Sequence, residues 1–147
     1  MKTNPIIPRV LVVDDAATIR FYHRELLVAA GFEVTEAANG LEAVEAALTD
    51  RFDLFIVDVN MPKMNGYTCV ETLRGATVGT DAPIIMVSTE DRPCDAERAY
   101  VAGANLYLVK PLTAERLVRL AALFTAIGTG TGTGTGADAD ADVGALS

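Results

Sequence analysis

Leu54-Phe55-Ile56-Val57-Asp58 is four apolar residues that stop at a carboxylate. A short apolar run without polar alternation marks a strand buried on both faces, as in a parallel sheet covered by helices. The pattern recurs downstream. Pro83-Ile84-Ile85-Met86-Val87 stops at Ser88-Thr89, and Leu106-Tyr107-Leu108-Val109 stops at Lys110-Pro111. Upstream, the β-branched run from Ile6 to Val13 stops at Asp14-Asp15. Phe32 to Ala37 instead alternates apolar and polar residues, as a half-exposed edge strand does.

Helical patterns separate these strands. Ile19, Tyr22, Leu26 and Ala30 follow helical spacing, and Gly31 suits a left-handed helix end. Asn39 with Glu42 resembles a capping box, from which Leu41, Val44 and Leu48 continue one face. A weaker helix follows Asn65 through Val70 and Leu73. Pro93 suits a first turn, Ala96 and Ala99 line that helix, and Gly103 closes it. Thr113 caps the last helix, with Leu117, Leu120, Ala121 and Phe124 on one face.

The expected fold is therefore an α/β (βα)5 unit, a doubly wound five-stranded parallel sheet of flavodoxin type. Right-handed crossovers and an edge position for the second strand give the order 2-1-3-4-5. Ligands of such sheets bind beyond the carboxyl ends of the strands, where the strand order reverses.

Bulk properties agree with one folded unit. A length of 147 residues suits a single domain, expected over 1–127. From Gly128 onward the chain is Gly-Thr and then Ala-Asp alternation, read as a flexible tail over 128–147. Its aspartates lack the spacing of a calcium loop. The net charge of −8 argues against nucleic-acid binding, which needs clustered Lys and Arg. No apolar run approaches membrane-spanning length, no secretion signal is evident, and a cytoplasmic monomer is expected. Cys69 and Cys94 lack metal or redox spacing and read as inert thiols. His23, the one histidine, stands at helical spacing from Ile19 and Leu27 and reads as a packed ring.

The strand ends carry the chemistry. Asp14, Asp15 and Asp58 should converge at the reversal, where like charges repel unless a cation or protons intervene. Mg²⁺ suits such an all-oxygen site. Lys110 and Ser88 add positive charge and a hydroxyl, which outlines a site for a small dianion such as a phosphoryl group. A single Asp after a strand is often only a turn former. Asp-Asp, Asp, Ser and Lys on four successive strand ends is a far more specific signal. No Gly-x-Gly-x-x-Gly, Walker loop or zinc spacing appears.

The set Val12-Val13-Asp14-Asp15, Val57-Asp58-Val59-Asn60-Met61-Pro62 with Gly66, Val87-Ser88-Thr89 and Val109-Lys110-Pro111 resembles the receiver domain of two-component response regulators over about residues 6–127. Asn60, Met61-Pro62, Glu90, Tyr107 and Lys110-Pro111 resemble the stand-alone chemotaxis type.

The resemblance implies that Asp58 accepts phosphoryl from a sensor histidine kinase or phosphotransfer protein. It implies that Asp14, Asp15, Asp58 and the Asn60 backbone carbonyl hold Mg²⁺, and that Lys110, in a cis peptide with Pro111, pairs with the phosphoryl oxygens. Ser88 and Tyr107 would form a switch, and Asn60 and Glu90 would tune phosphoryl lifetime. The fourth helix, fifth strand and fifth helix would meet a downstream protein, and Gly66 would permit the turn after the acceptor loop. Ser88 stands where the family more often has Thr, and Thr89 where it has Ala. The bland alternatives are that Tyr107 is an edge aromatic and Glu90 a solvated helix-entry charge. Two other functions stay open. One is a receiver fragment of a larger transcriptional regulator, for which the tail is too short to be an output domain. The other is a metal-dependent phosphohydrolase with an Asp nucleophile, although dehalogenase-type phosphatases have Asp at the position of Asn60.

Overall fold

The first strand, β1 (Arg9–Val13), carries an unbroken Val-Leu-Val-Val run and is buried over Val10 to Val13. This computed structural model describes residues 7–128; the expected tail beyond residue 128 lies outside the described residues. Elements alternate without exception after β1: α1 (Ala17–Ala29), β2 (Glu33–Ala37), α2 (Gly40–Thr49), β3 (Leu54–Asp58), α3 (Gly66–Arg74), β4 (Ile84–Ser88), α4 (Pro93–Ala102), β5 (Leu106–Val109) and α5 (Ala114–Gly128). Gly128, assigned by sequence to the tail, closes α5.

All four strand pairings are parallel, and the order is β2-β1-β3-β4-β5. β3 and β4 are buried at every residue, and β2 at the edge is buried only at Ala37. One core, including Leu11, Phe55, Leu73 and Met86, lies under α2, α3 and α4. The other, including Val10, Leu27, Ile56 and Leu120, lies under α1 and α5. The alternation of Leu11 and Val13 with Val10 and Val12 between the two cores is the period-2 geometry of a doubly covered strand.

Two helices are rotated from the faces their apolar spacing suggests. On α1, Ile19 and Tyr22 are 38% and 48% exposed, whereas His23 and Leu27 are buried. Arg20, on the same inward face as His23 and Leu27, donates to the Asp14 carbonyl. On α2, Leu41 and Leu48 are exposed, while Ala43 is buried and Val44 and Ala47 pack on the core. Asn39 accepts the Glu42 N–H at 2.9 Å and fixes where the helix starts. Small residues then let α2 approach closely. The inward residues expected on α3 and α5 do reach the core: Val70, Leu73, Leu117, Leu120 and Ala121 are buried and Phe124 packs against them. On α4, Ala99 is buried and Ala96 half-buried.

Gly31 ends α1 with φ of 101°, the left-handed conformation anticipated there. Gly66 permits the turn, its N–H donating to the Val59 carbonyl at 2.9 Å, by leaving out a side chain. Its φ is not positive, and an added Cβ would lie 2.5 Å from the Asp58 carbonyl and 2.7 Å from the Val59 Cα. The end of β3 and the start of α3 touch backbone to backbone at this point.

Candidate functional site

Parallel register brings the polar strand ends to one level. Val13 pairs with Val57, Asp58 with Val87, and Ser88 with Val109, so Asp14, Asp58, Ser88 and Lys110 emerge along one rim. Asp14, Asp15 and Asp58 each offer a carboxylate oxygen within 4.8 Å of the others. Lys110 Nζ lies 3.2 Å from Asp58 and 3.6 Å from Asp14. The Lys110–Pro111 peptide is cis.

One ammonium against three carboxylates leaves the cluster short of positive charge. The donor set is entirely oxygen, which suits a hard divalent cation, so these residues could hold a metal. Burial is the main reason the Asp58 pKa rises from 3.8 to about 6; the Asp14 charge adds to this and Lys110 opposes it. Burial thus disfavours the ionised form of Asp58. Asp14 and Asp58 are buried and Asp15 is exposed, so the cluster opens to solvent on the Asp15 side.

Asn60, Met61 and Asp15 line an open cleft of about 440 Å³ beside the carboxylates. Ser88 is fully buried, and its Oγ accepts the Glu90 N–H at 3.0 Å. The Glu90 carbonyl accepts the Tyr107 hydroxyl at 2.7 Å. Residue 90 therefore joins Ser88 to Tyr107 through its two peptide groups. The Glu90 side chain itself points outward, 3.8 Å from Arg92. Tyr107 is half-buried, and its own N–H donates to the Tyr100 hydroxyl at 3.2 Å.

The remaining candidates fall away from the rim chemistry. His23 is buried, and burial lowers its pKa against the pull of Asp14, which suits a neutral packed ring. Cys69 is buried and pushed up to about 12 by desolvation, so it stays a thiol, while Cys94 is exposed. Neither cysteine is in a disulfide.

Sequence reasoning passed over two residues that touch this region. Arg20 donates from Nη1 to the Asp14 carbonyl at 2.6 Å. Tyr67 is buried, its ring lies 4.1 Å beneath the Arg98 guanidinium, and its hydroxyl reaches toward the Asp95 carbonyl at 3.4 Å. Neither carries a local signal, because each is defined by a partner far away in the chain or by helix rotation.

Known proteins agree with this geometry. The sequence profile of the response regulator receiver domain matches residues 10–122. The transcriptional regulatory protein PrrA of Mycobacterium tuberculosis is 37% identical over 130 residues, which cover 88% of this chain and 55% of that protein. The chain thus spans about half the length of the curated relatives of this kind. The solved chemotaxis protein CheY4 of Vibrio cholerae is 38% identical with a TM-score of 0.76, covering 81% of this chain and 99% of that one. The receiver domain of a sensor histidine kinase from Pseudomonas aeruginosa, solved with magnesium coordinated in its active-site cleft, is 28% identical. Its TM-score is 0.75, with 82% and 99% of the two chains covered. This match selects a signalling domain over the phosphohydrolase alternative. Among the described residues, no helix is long and apolar enough to cross a membrane. By fold, by the polar residues on its strand ends and by sequence likeness, the chain belongs to the response regulator receiver domain family of two-component signalling.

Proposed function

We propose that Asp58 is the phosphoacceptor of a switch that receives phosphoryl from a sensor histidine kinase or phosphotransfer protein. The observation that carries this is the carboxylate triad within 4.8 Å, with Lys110 Nζ 3.2 Å from Asp58. An Asp58 carboxylate oxygen forms the new P–O bond as the P–N bond to the donor imidazole breaks. Lys110 pairs with the phosphoryl oxygens, and Asp14 and Asp15 with the Asn60 carbonyl complete the ligand set. Mg²⁺ bound by these residues and Asp58 supplies charge neutralisation for the transferring group.

Signal output follows from the Ser88–Glu90–Tyr107 chain. When Ser88 turns its hydroxyl to the phosphoryl group, the Glu90 N–H loses its acceptor. The β4–α4 loop then shifts together with the carbonyl that holds Tyr107. The surface affected is that of α4, β5 and α5, where Tyr100, Val101 and Val109 are exposed apolar residues. A downstream protein docks there, with affinity set by its preference between the two states. Asn60, which lines the cleft, and Glu90, two residues beyond Ser88, tune how fast the acyl phosphate hydrolyses. The chain acts in the cytoplasm as a monomer, and it has no turnover on external phosphomonoesters.

The test is labelling with acetyl phosphate and Mg²⁺. One acid-stable, base-labile phosphoryl group per chain is expected, lost in Asp58→Asn and sharply reduced in Asp15→Ala. Equal labelling of Asp58→Asn would overturn the assignment.

A further inference from the structure

The β1–α1 turn that presents Asp14 and Asp15 is held by more than its own backbone. The Asp14 N–H donates to the Ala37 carbonyl on β2 at 3.1 Å, and Asp14 Oδ1 accepts the Ala16 N–H at 2.9 Å. The Asp14 carbonyl belongs to the peptide that leads into Asp15, and Arg20 Nη1 grips it at 2.6 Å. Arg20 is itself held, because its Nε donates to Glu36 Oε1 at 2.9 Å. Glu36 also lies 3.6 Å from Arg24. Arg20 is the better covered partner, with 17% of its side chain exposed against 32% for Glu36. Glu36 stands opposite Val12 in the β1–β2 register, so it is fixed to the sheet two residues before Asp14.

A guanidinium beside a cluster that takes a cation opposes that cation by charge alone. What Arg20 offers is a planar fork whose two donors join a helix, a strand and the turn between them.

We propose that Arg20 and Glu36 are a positioning pair that sets how tightly the Asp14–Asp15 turn holds its divalent cation. The inference rests on the reading of Asp14, Asp15 and Asp58 as a Mg²⁺ site. By holding the Asp14–Asp15 peptide plane, the pair fixes where the exposed Asp15 carboxylate points. Without it, the turn samples orientations in which Asp15 faces solvent.

Positioning and charge predict opposite signs, which makes the test clean. Mg²⁺ is titrated into the full unphosphorylated chain by calorimetry, with melting in EDTA as a check that each variant is folded. Arg20→Met should raise the Mg²⁺ Kd about tenfold, the scale of lost outer contacts to metal ligands. If charge governed, it would tighten binding. Arg20→Lys keeps the charge but cannot span both partners, so it should also weaken binding. Glu36→Ala takes away the acceptor that holds Arg20 and should likewise raise the Kd about tenfold, and wild-type affinity in folded Glu36→Ala would remove Glu36 from the pair. Tighter or unchanged binding by folded Arg20→Met, or wild-type affinity in Arg20→Lys, would overturn the pair. Failure of the wild type to bind Mg²⁺, or undiminished binding by Asp15→Asn, would instead overturn the Mg²⁺ reading itself.

Discussion

Replacing Asp58 with asparagine should make the cation-free protein more stable, although it removes the proposed phosphoacceptor. Asp58 is buried, and its pKa rises from 3.8 to about 6 mainly through desolvation. At about 1.4 kcal/mol per pH unit, ionised Asp58 costs the fold about 3 kcal/mol. Asparagine has the same shape and no charge, so about 2–3 kcal/mol should be recovered near pH 8 in EDTA. For a body of this size that is roughly 6–12 °C in Tm. The sign of the pH dependence follows from the raised value. The group's favourable contribution is complete below its unfolded pKa and is lost as pH rises through about 6. The gap between variant and wild type should therefore close as pH falls from about 7 to about 4. Mg²⁺ should narrow it from the other direction, since a ligand at a hundredfold its Kd adds about 2.7 kcal/mol to the protein that binds it. Urea titration followed by far-UV circular dichroism at several pH values reads all of this. A less stable Asp58→Asn protein in EDTA at neutral pH, or a gap that ignores pH, would refute the reasoning.

Other outcomes follow from named contacts. Ser88→Ala should accept phosphoryl on Asp58 yet leave Tyr107 NMR shifts and partner affinity nearly unresponsive; a full response would remove Ser88 from the switch. Substitution of Asn60 or Glu90 should change the decay rate of the acyl phosphate after donor removal, and decay insensitive to both would end their assignment. Gly66→Ala drives a Cβ to 2.5 Å from the Asp58 carbonyl, so a loss of about 1–3 kcal/mol is expected in chemical denaturation. Arg74→Met should cost about 3 kcal/mol or more in the same assay, because Arg74 donates to the Gly103, Thr80 and Ala82 carbonyls and to Asn105 Oδ1.

The sheet was legible because its strands carry their burial in their own composition. Ile84, Ile85, Met86 and Val87 need no partner to be read as interior, and the edge position of β2 follows from its alternation. The rim was legible because parallel strands end on one side, so each residue after an apolar run falls at the same level. Rotation of α1 and α2 was not legible. The inward face of α1 includes Arg20, whose partners are the Asp14 carbonyl after β1 and Glu36 on β2, whereas the burial of His23 on the same face was readable from its spacing to Leu27. The inward face of α2 is built from alanines, which a search for large apolar residues overlooks. Gly66 was noticed for its turn, but the close backbone approach that excludes a side chain there leaves no trace in local sequence. Arg74 was missed because its acceptors are backbone carbonyls and an amide from α3–β4 and α4–β5 connections, neither of which is marked by composition.

The tyrosines have an optical consequence. The chain has four of them and no tryptophan, so its near-ultraviolet emission belongs to tyrosine alone. Tyr22 is exposed on α1, while Tyr67, Tyr100 and Tyr107 gather between α3, α4 and β5 in contact with one another's hydrogen-bond partners or with Arg98. A phenol that donates to a carbonyl emits weakly, and one released to water emits more strongly. Any rearrangement of the Glu90 carbonyl should therefore change the brightness of the unlabelled protein, with Tyr22 supplying a steady background. The molecule carries its own dye, and stopped-flow fluorescence could time the switch without a single engineered probe.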